Sequence, residues 1–310
     1  MAAENYLYEG IIVTTFGVID SPTATNPNQV TFNFDSPGDD DKNAASFIHR
    51  IKDIGGGQFE ATKLTVEGVR EVVMTTGEAK GKLLFSVHGF ATKPREYLEN
   101  TIANAQRDFN KFRLIPVIWP SEGDLTKYYE DQFFSELVGK LLQSITPTGQ
   151  NETISKSILC HSMGNRVLRN FANEGVTFDN IFMVAADVDE DLFNAGKLNG
   201  DEEQALNIKN MLTKGKGGKI HVLYSKKDEA LSLSAGAFLP DLLGFAGAFL
   251  RGNPDPRPRL GREGVDLNNV IPEVKDFIAS KDVTNEDGGE GNHKYQFKPH
   301  AIDHYESMII

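Results

Sequence analysis

From Lys82 onward, short apolar runs alternate with stretches whose apolar residues recur every three or four positions. Leu83-Leu84-Phe85-Ser86-Val87 reads as a buried strand, and Pro94 to Phe109 then sets Leu98, Ile102, Ala105 and Phe109 on one helical face. Leu114 to Trp119 is a second strand, stopped by Pro120, and Tyr129, Phe133, Phe134, Leu137 and Leu141 mark a second helix. Ser157-Ile158-Leu159 leads into Cys160-His161-Ser162-Met163-Gly164. Val167, Leu168, Phe171 and Ala172 follow at helical spacing, and Gly175 stands where a C-terminal cap would end that helix. Asn180 to Ala186 and Ile220 to Tyr224 are two further strands. Strands separated by helices need crossover connections, which are right-handed and make neighbouring strands parallel. The expected fold class is therefore α/β, a doubly wound and mostly parallel sheet.

The first eighty residues follow another pattern. Tyr6-Leu7-Tyr8, Ile11 to Phe16, Val30 to Phe34 and Val69 to Thr75 are β-rich, with turn-forming stretches at Ser36-Pro37-Gly38 and Gly55 to Gly57 between them. The expected division is a β-rich extension over 1–80, packed on an α/β domain over 81–310. Asp39-Asp40-Asp41 lacks the spaced ligands of a calcium loop and reads as solvated. Lys214 to Lys219 precedes a strand and lacks phosphate-loop spacing, so it reads as a plain loop. Leu231 to Leu250 is nearly all apolar, but Pro240, Asp241 and glycines interrupt it, which argues against a membrane span. A helical hairpin or lid over about 231–262 is the expected reading, and it suits an acyl or lipid-like substrate.

Charge and cysteine usage narrow the class. A formal charge of −12, with no compensating Lys/Arg cluster, argues against a nucleic-acid or anionic-membrane surface. Cys160 is the only cysteine, which rules out an intrachain disulfide and a cysteine-based zinc site. Its apolar strand makes it a buried, inert thiol. Met1 to Gly10 shows no basic segment leading into an apolar core, so the expected location is cytoplasmic. Oligomeric state has no signature in the sequence.

The chemistry concentrates at Ser162. A serine on a tight strand-to-helix turn has its hydroxyl held clear of the sheet, and the residue two positions on must be small, as Gly164 is. The helix that follows aims its N-terminal N–H groups at negative charge developing near the serine, so Met163 N–H is one expected oxyanion donor. The first glycine of the usual G-x-S-x-G is Cys160 here. His88-Gly89-Phe90 ends the first strand of the α/β series, and Phe90 N–H is the second expected donor.

A serine hydroxyl needs a histidine to take its proton and a carboxylate to hold that histidine. In doubly wound hydrolases these follow in the order serine, acid, histidine. Asp187 and Asp228 both follow strands, at the ends where ligands bind. Asp228 is preferred because it lies one strand further on and opens an apolar helix at Ala230-Leu231, with Asp187 as alternate. His293, His300 and His304 lie beyond both acids; His304 is the expected base, from its place before a final apolar segment, and His300 the alternate. His161 reads as a packing residue and His221 as a strand histidine.

Together the motifs resemble the α/β-hydrolase superfamily, and in particular an uncharacterised, mainly bacterial branch of it. The resemblance rests on Val87-His88-Gly89-Phe90, Trp119-Pro120-Ser121, His161 to Arg166, Ala186-Asp187-Val188-Asp189, Tyr224 to Leu231 and Arg259-Leu260-Gly261. It covers roughly residues 80 to 310, and these motifs occur in the family's order. Members usually end on H-[SG]-Y, whereas His304-Tyr305 lacks the intervening residue. The resemblance implies a serine hydrolase with Ser162 as nucleophile, Asp228 as acid and a late histidine. The expected activity is hydrolysis of an ester or related acyl bond through an acyl-enzyme, with no metal or organic cofactor. A non-catalytic binding protein on the same scaffold, or a peptidase, are the alternatives.

Overall fold

The computed structural model describes residues 9–13, 18–20, 29–32, 48–55, 58–63, 82–90, 92, 97–109, 111–118, 155–172, 176–196, 201–234, 258–286 and 292–308. In the first part of the chain, β1 (Glu9–Val13), β2 (Val18–Asp20), β3 (Gln29–Phe32), β4 (Ile48–Gly55) and β5 (Gln58–Lys63) pair antiparallel in the order β1-β4-β5-β3-β2. β1 and β3 overlap the expected strand stretches Ile11 to Phe16 and Val30 to Phe34. β2, β4 and β5 were not anticipated; charged residues break the apolar pattern of β4 and β5, which pair antiparallel with Gly55 opposite Gln58. Val69 to Thr75 lies outside the described residues.

The second sheet has six strands, all parallel: β6 (Lys82–Val87), β7 (Arg113–Val117), β8 (Ser155–His161), β9 (Ile181–Val184), β10 (Ile220–Tyr224) and β11 (Ile278–Asp282). Their spatial order is β11-β10-β9-β8-β6-β7. The doubly wound parallel sheet expected from the alternating pattern is therefore present. Between β6 and β8 the winding reverses direction: the chain steps outward to β7, then returns to the other side of β6. At such a switch point the connections leave on opposite faces and open a crevice at the carboxyl ends of the strands.

The helices bear this out. A wide helical turn, Tyr97–Ile102, runs into α1 (Ala103–Asp108). α2 (Gly164–Phe171), α3 (Asp201–Asn210), α4 (Glu229–Ser234), α5 (Leu260–Glu263), α6 (Pro272–Lys275) and α7 (Pro299–Ser307) follow. Strand residues alternate between two cores, as the period of two requires. Ile158, Cys160, Ile181, Met183 and Val222 join Val167 and Leu168 of α2, Ala205 and Ile208 of α3 and Val274 of α6 on one face. Leu84, Leu159, Phe182, Val184 and Leu223 join Ala105 of α1, Leu231 of α4 and Ile302 and Tyr305 of α7 on the other. Both faces are covered, which explains the nearly continuous apolar strands.

The helix expected over Tyr129 to Leu141, the Trp119-Pro120-Ser121 step, the Gly175 cap and most of the apolar stretch 231–262 fall outside the described residues. Among the described residues, no helix is long and apolar enough to cross a membrane.

Candidate active site

Ser162 sits immediately beyond β8, on the rim beside the switch point, and takes a left-handed backbone conformation with φ of 52°. That region costs a non-glycine residue about 1–2 kcal/mol, so surrounding bonds must hold it. They are present. Ser162 N–H donates to Val184 O (3.0 Å), Asp187 N–H donates to Ser162 O (3.2 Å), and Asn165 Nδ2–H reaches both Cys160 O and Ser162 O (3.0 Å each). Met163 leads into α2, whose first residue is Gly164. A Cβ on Gly164 would lie 2.7 Å from His88 O and 2.8 Å from Val87 O, so the elbow presses directly on the end of β6. Cys160 fills the usual first glycine position; it is fully buried, and burial pushes its thiol pKa well up.

His88 and Gly89 form the opposite wall. His88 is buried, and its Nδ1–H donates to Gly89 O at 2.8 Å. A trans peptide points its C=O and N–H in opposite directions, so anchoring Gly89 O turns Phe90 N–H away from the His88 ring. Tyr97 backs His88 edge-on, with ring centroids 5.3 Å apart, and its hydroxyl bonds Ser86 Oγ at 2.7 Å.

The carboxylates separate cleanly. Asp228 is fully buried just past β10. Its Oδ1 accepts the Leu231 N–H (3.0 Å), capping α4, and its Oδ2 lies 2.8 Å from His293 Nδ1. Asp187, the alternate acid, is buried with Arg259 Nε at 3.3 Å and Arg166 Nε at 3.8 Å, while Arg259 Nη1 donates to Asp189 Oδ1 at 2.6 Å. Its charge is thus committed to arginines that pin the chain at Arg259 to the end of β9.

The histidine beside Asp228 is His293, and neither His304 nor His300 takes that place. His304 lies in the last turn of α7, with its ring 5.2 Å from His221 and 6.5 Å from Phe182. His221 stands three residues before the end of β10, about 10 Å back along the strand from the rim at about 3.3 Å per residue. Burial and the positive charge of Lys281 lower the His304 pKa to about 4. His300 Nε2 is 3.5 Å from Glu286 Oε2. The segment around His304, expected to lead into a final apolar segment, itself folds as the helix α7, whose Ile302 and Tyr305 pack on the sheet face.

His293 has a recognisable neighbour. Tyr295, two residues on, is fully buried; its hydroxyl donates to Leu223 O (2.9 Å) and accepts the Ala185 N–H (3.0 Å). With one residue between them, the histidine faces the rim while the tyrosine ties the loop to β9 and β10. His293-Lys294-Tyr295 thus carries the H-x-Y spacing, with lysine in the middle position, and this was the signal available in the sequence. Asn292, just before it, adopts a φ of 53°, a conformation asparagine tolerates better than most residues. Among the described residues, no three His, Cys, Asp or Glu side chains converge as ligands of a metal ion.

No curated protein and no solved structure matches the chain. A family model does: residues 67–270 match the one described as alpha/beta hydrolase of unknown function (DUF900), and they hold the β6 turn, the Ser162 elbow and Asp228. With its six-stranded parallel sheet wound on both faces, the chain belongs to this family of α/β hydrolases.

Proposed function

We propose that the protein is a serine hydrolase of ester or related acyl bonds, with Ser162, His293 and Asp228 as its triad. The observation that carries this reading is the 2.8 Å bond between the buried Asp228 and His293 Nδ1, at the same sheet edge as a serine held in a left-handed turn. That bond orients the imidazole and leaves its Nε2 as the basic nitrogen. Ser162 Oγ attacks the acyl carbon as His293 takes its proton, and the imidazolium returns that proton to the leaving alkoxide, giving an acyl-enzyme and an alcohol. Water, deprotonated by the same histidine, then releases the acid. Met163 N–H at the start of α2 and Phe90 N–H, turned by the His88 bond to Gly89 O, are the proposed oxyanion donors.

The substrate is a small-molecule or lipid-like acyl compound, a reading supported by the apolar sequence between Leu231 and Leu250 entering just after the triad acid. The test is labelling of the purified chain with a fluorophosphonate, together with hydrolysis of p-nitrophenyl esters of graded length. Ser162→Ala should abolish both. Undiminished labelling of that variant would overturn the assignment.

A further inference from the structure

His161 reads in the sequence as a packing residue beside the nucleophile, but its contacts give it more than packing. It is the last residue of β8, buried, with its ring 4.8 Å from that of His293 and tilted by 52°. Its Nε2 lies 2.9 Å from the carbonyl oxygen of His293; a carbonyl can only accept, so Nε2 carries the proton and donates. On its other side the ring abuts the β6 turn: a Cβ built on Gly89 would fall 3.1 Å from His161 Nδ1 and 2.7 Å from Ser162 Cβ. The imidazole therefore fills the space between the Gly89 turn and the loop of His293.

We propose that His161 is a positioning residue: its Nε2–H clamps the backbone of His293, and its ring sets the spacing between the histidine loop and the Gly89-Phe90 turn. The inference rests on the reading of His293 as the general base. Two anchors then hold that base, Asp228 on its side chain and His161 on its main chain, while Tyr295 holds the loop two residues on. The base must become an imidazolium during each acyl transfer, so a charged neighbour at this distance would oppose catalysis. His161 meets that requirement. Burial first, and then the fields of His293, His88 and Lys294, lower its pKa to about 3, against the opposing pull of its bond to the His293 carbonyl. At neutral pH it is uncharged and its donor stays in place.

Three substitutions separate the bond from the volume. Glutamine can place its amide N–H near the position of Nε2, phenylalanine keeps the ring without a donor, and asparagine keeps an amide too short to reach. The measurements on the whole 310-residue chain are the fluorophosphonate labelling rate across pH and the downfield proton NMR signal of the His293 Nδ1–H bonded to Asp228. His161→Phe and His161→Asn should label about 10- to 100-fold more slowly than wild type, part of the about 10²–10⁴ that a positioned base supplies. Both should broaden or shift the downfield signal, and His161→Gln should restore rate and signal to within about threefold. If the phenylalanine variant does not fold, the asparagine variant decides. Wild-type labelling and an unmoved signal in the donor-less variants would overturn the proposal, as would equal impairment of the glutamine variant. Failure of the triad itself would appear differently, as labelling that survives Ser162→Ala or His293→Gln.

Discussion

Arg259 and Asp187 form an ion pair that is almost wholly buried, with Nε and Oδ1 3.3 Å apart and side-chain exposures of 2% and 3%. It joins the start of α5 to the loop after β9, whose Asp187 N–H also holds the carbonyl of Ser162. Removing one member of such a pair strands the other charge away from water. Arg259→Met should therefore destabilise the fold by about 3 kcal/mol, the low end of the usual range, because Arg166 remains within 4 Å of Asp187. Urea unfolding of Arg259→Met, Asp187→Leu and the double variant checks this. The double variant should lose much less than the sum of the two singles.

The division among the late histidines gives a second expectation. If the proposed triad operates, His293→Gln should lower kcat for ester hydrolysis by about 10⁶, the loss typical when the base is removed, and Asp228→Asn by about 10⁴, the loss typical when its tautomer control is removed. His304→Gln should leave kcat within about threefold of wild type, since its ring packs on His221 and Phe182. Steady-state kinetics of the three variants distinguish the assignments. A loss at His304 as large as that at His293 would count against the site described above.

Gly164→Ala tests how tightly the elbow is built. The new methyl would meet two backbone carbonyl oxygens, of His88 and Val87, which cannot rotate aside as a flexible side chain could. Overpacking of this kind costs about 1–3 kcal/mol. The strain falls on the β6 end that carries Phe90, so kcat should fall more than KM changes. Thermal unfolding and initial rates measure the two effects separately.

Acid should weaken the fold through histidines buried in neutral form. His161 and His221 are both buried, and burial is the first cause that lowers each pKa to about 3. The unfolded chain, with its histidine pKa near 6.5, binds more protons than the native state between these values. Their contribution is thus complete above about pH 6.5 and is lost as pH falls toward 3. Each should add about 1.4 kcal/mol per pH unit to the slope inside that window. Urea titrations at pH 6, 5 and 4 should show the loss, and His221→Phe should flatten it.

The parts legible in the sequence were those whose chemistry and periodicity coincide. Ser162 announces itself because an apolar strand, a small residue at Gly164 and helical spacing all fall within fifteen residues of it. Asp228 follows a strand whose burial is nearly complete, Ile220 to Tyr224, and so stood out as a strand-end acid. His293 did not, because its loop has no periodic pattern. Its partner contact spans 65 residues, and only the H-x-Y spacing with Tyr295 marked it. β11 was missed for another reason: Ile278-Ala279-Ser280-Lys281-Asp282 is an edge strand, mostly half-exposed, with a single large apolar residue. Among the described side chains of α3, only Ala205 and Ile208 are fully buried, too few to reveal a helical stripe among charged neighbours.

Asp228 divides its two oxygens between the His293 ring and the first turn of α4, and Arg259 fixes the chain where it returns. These two attachments work as docking posts for an exchangeable cassette. Sequence placed between Ser234 and Pro258 can therefore vary in length and polarity while α4 and Arg259 keep their bonds. Chimeras joined inside those posts should keep the fluorophosphonate labelling proposed for Ser162, whereas a junction cutting between Asp228 and Leu231 should abolish it.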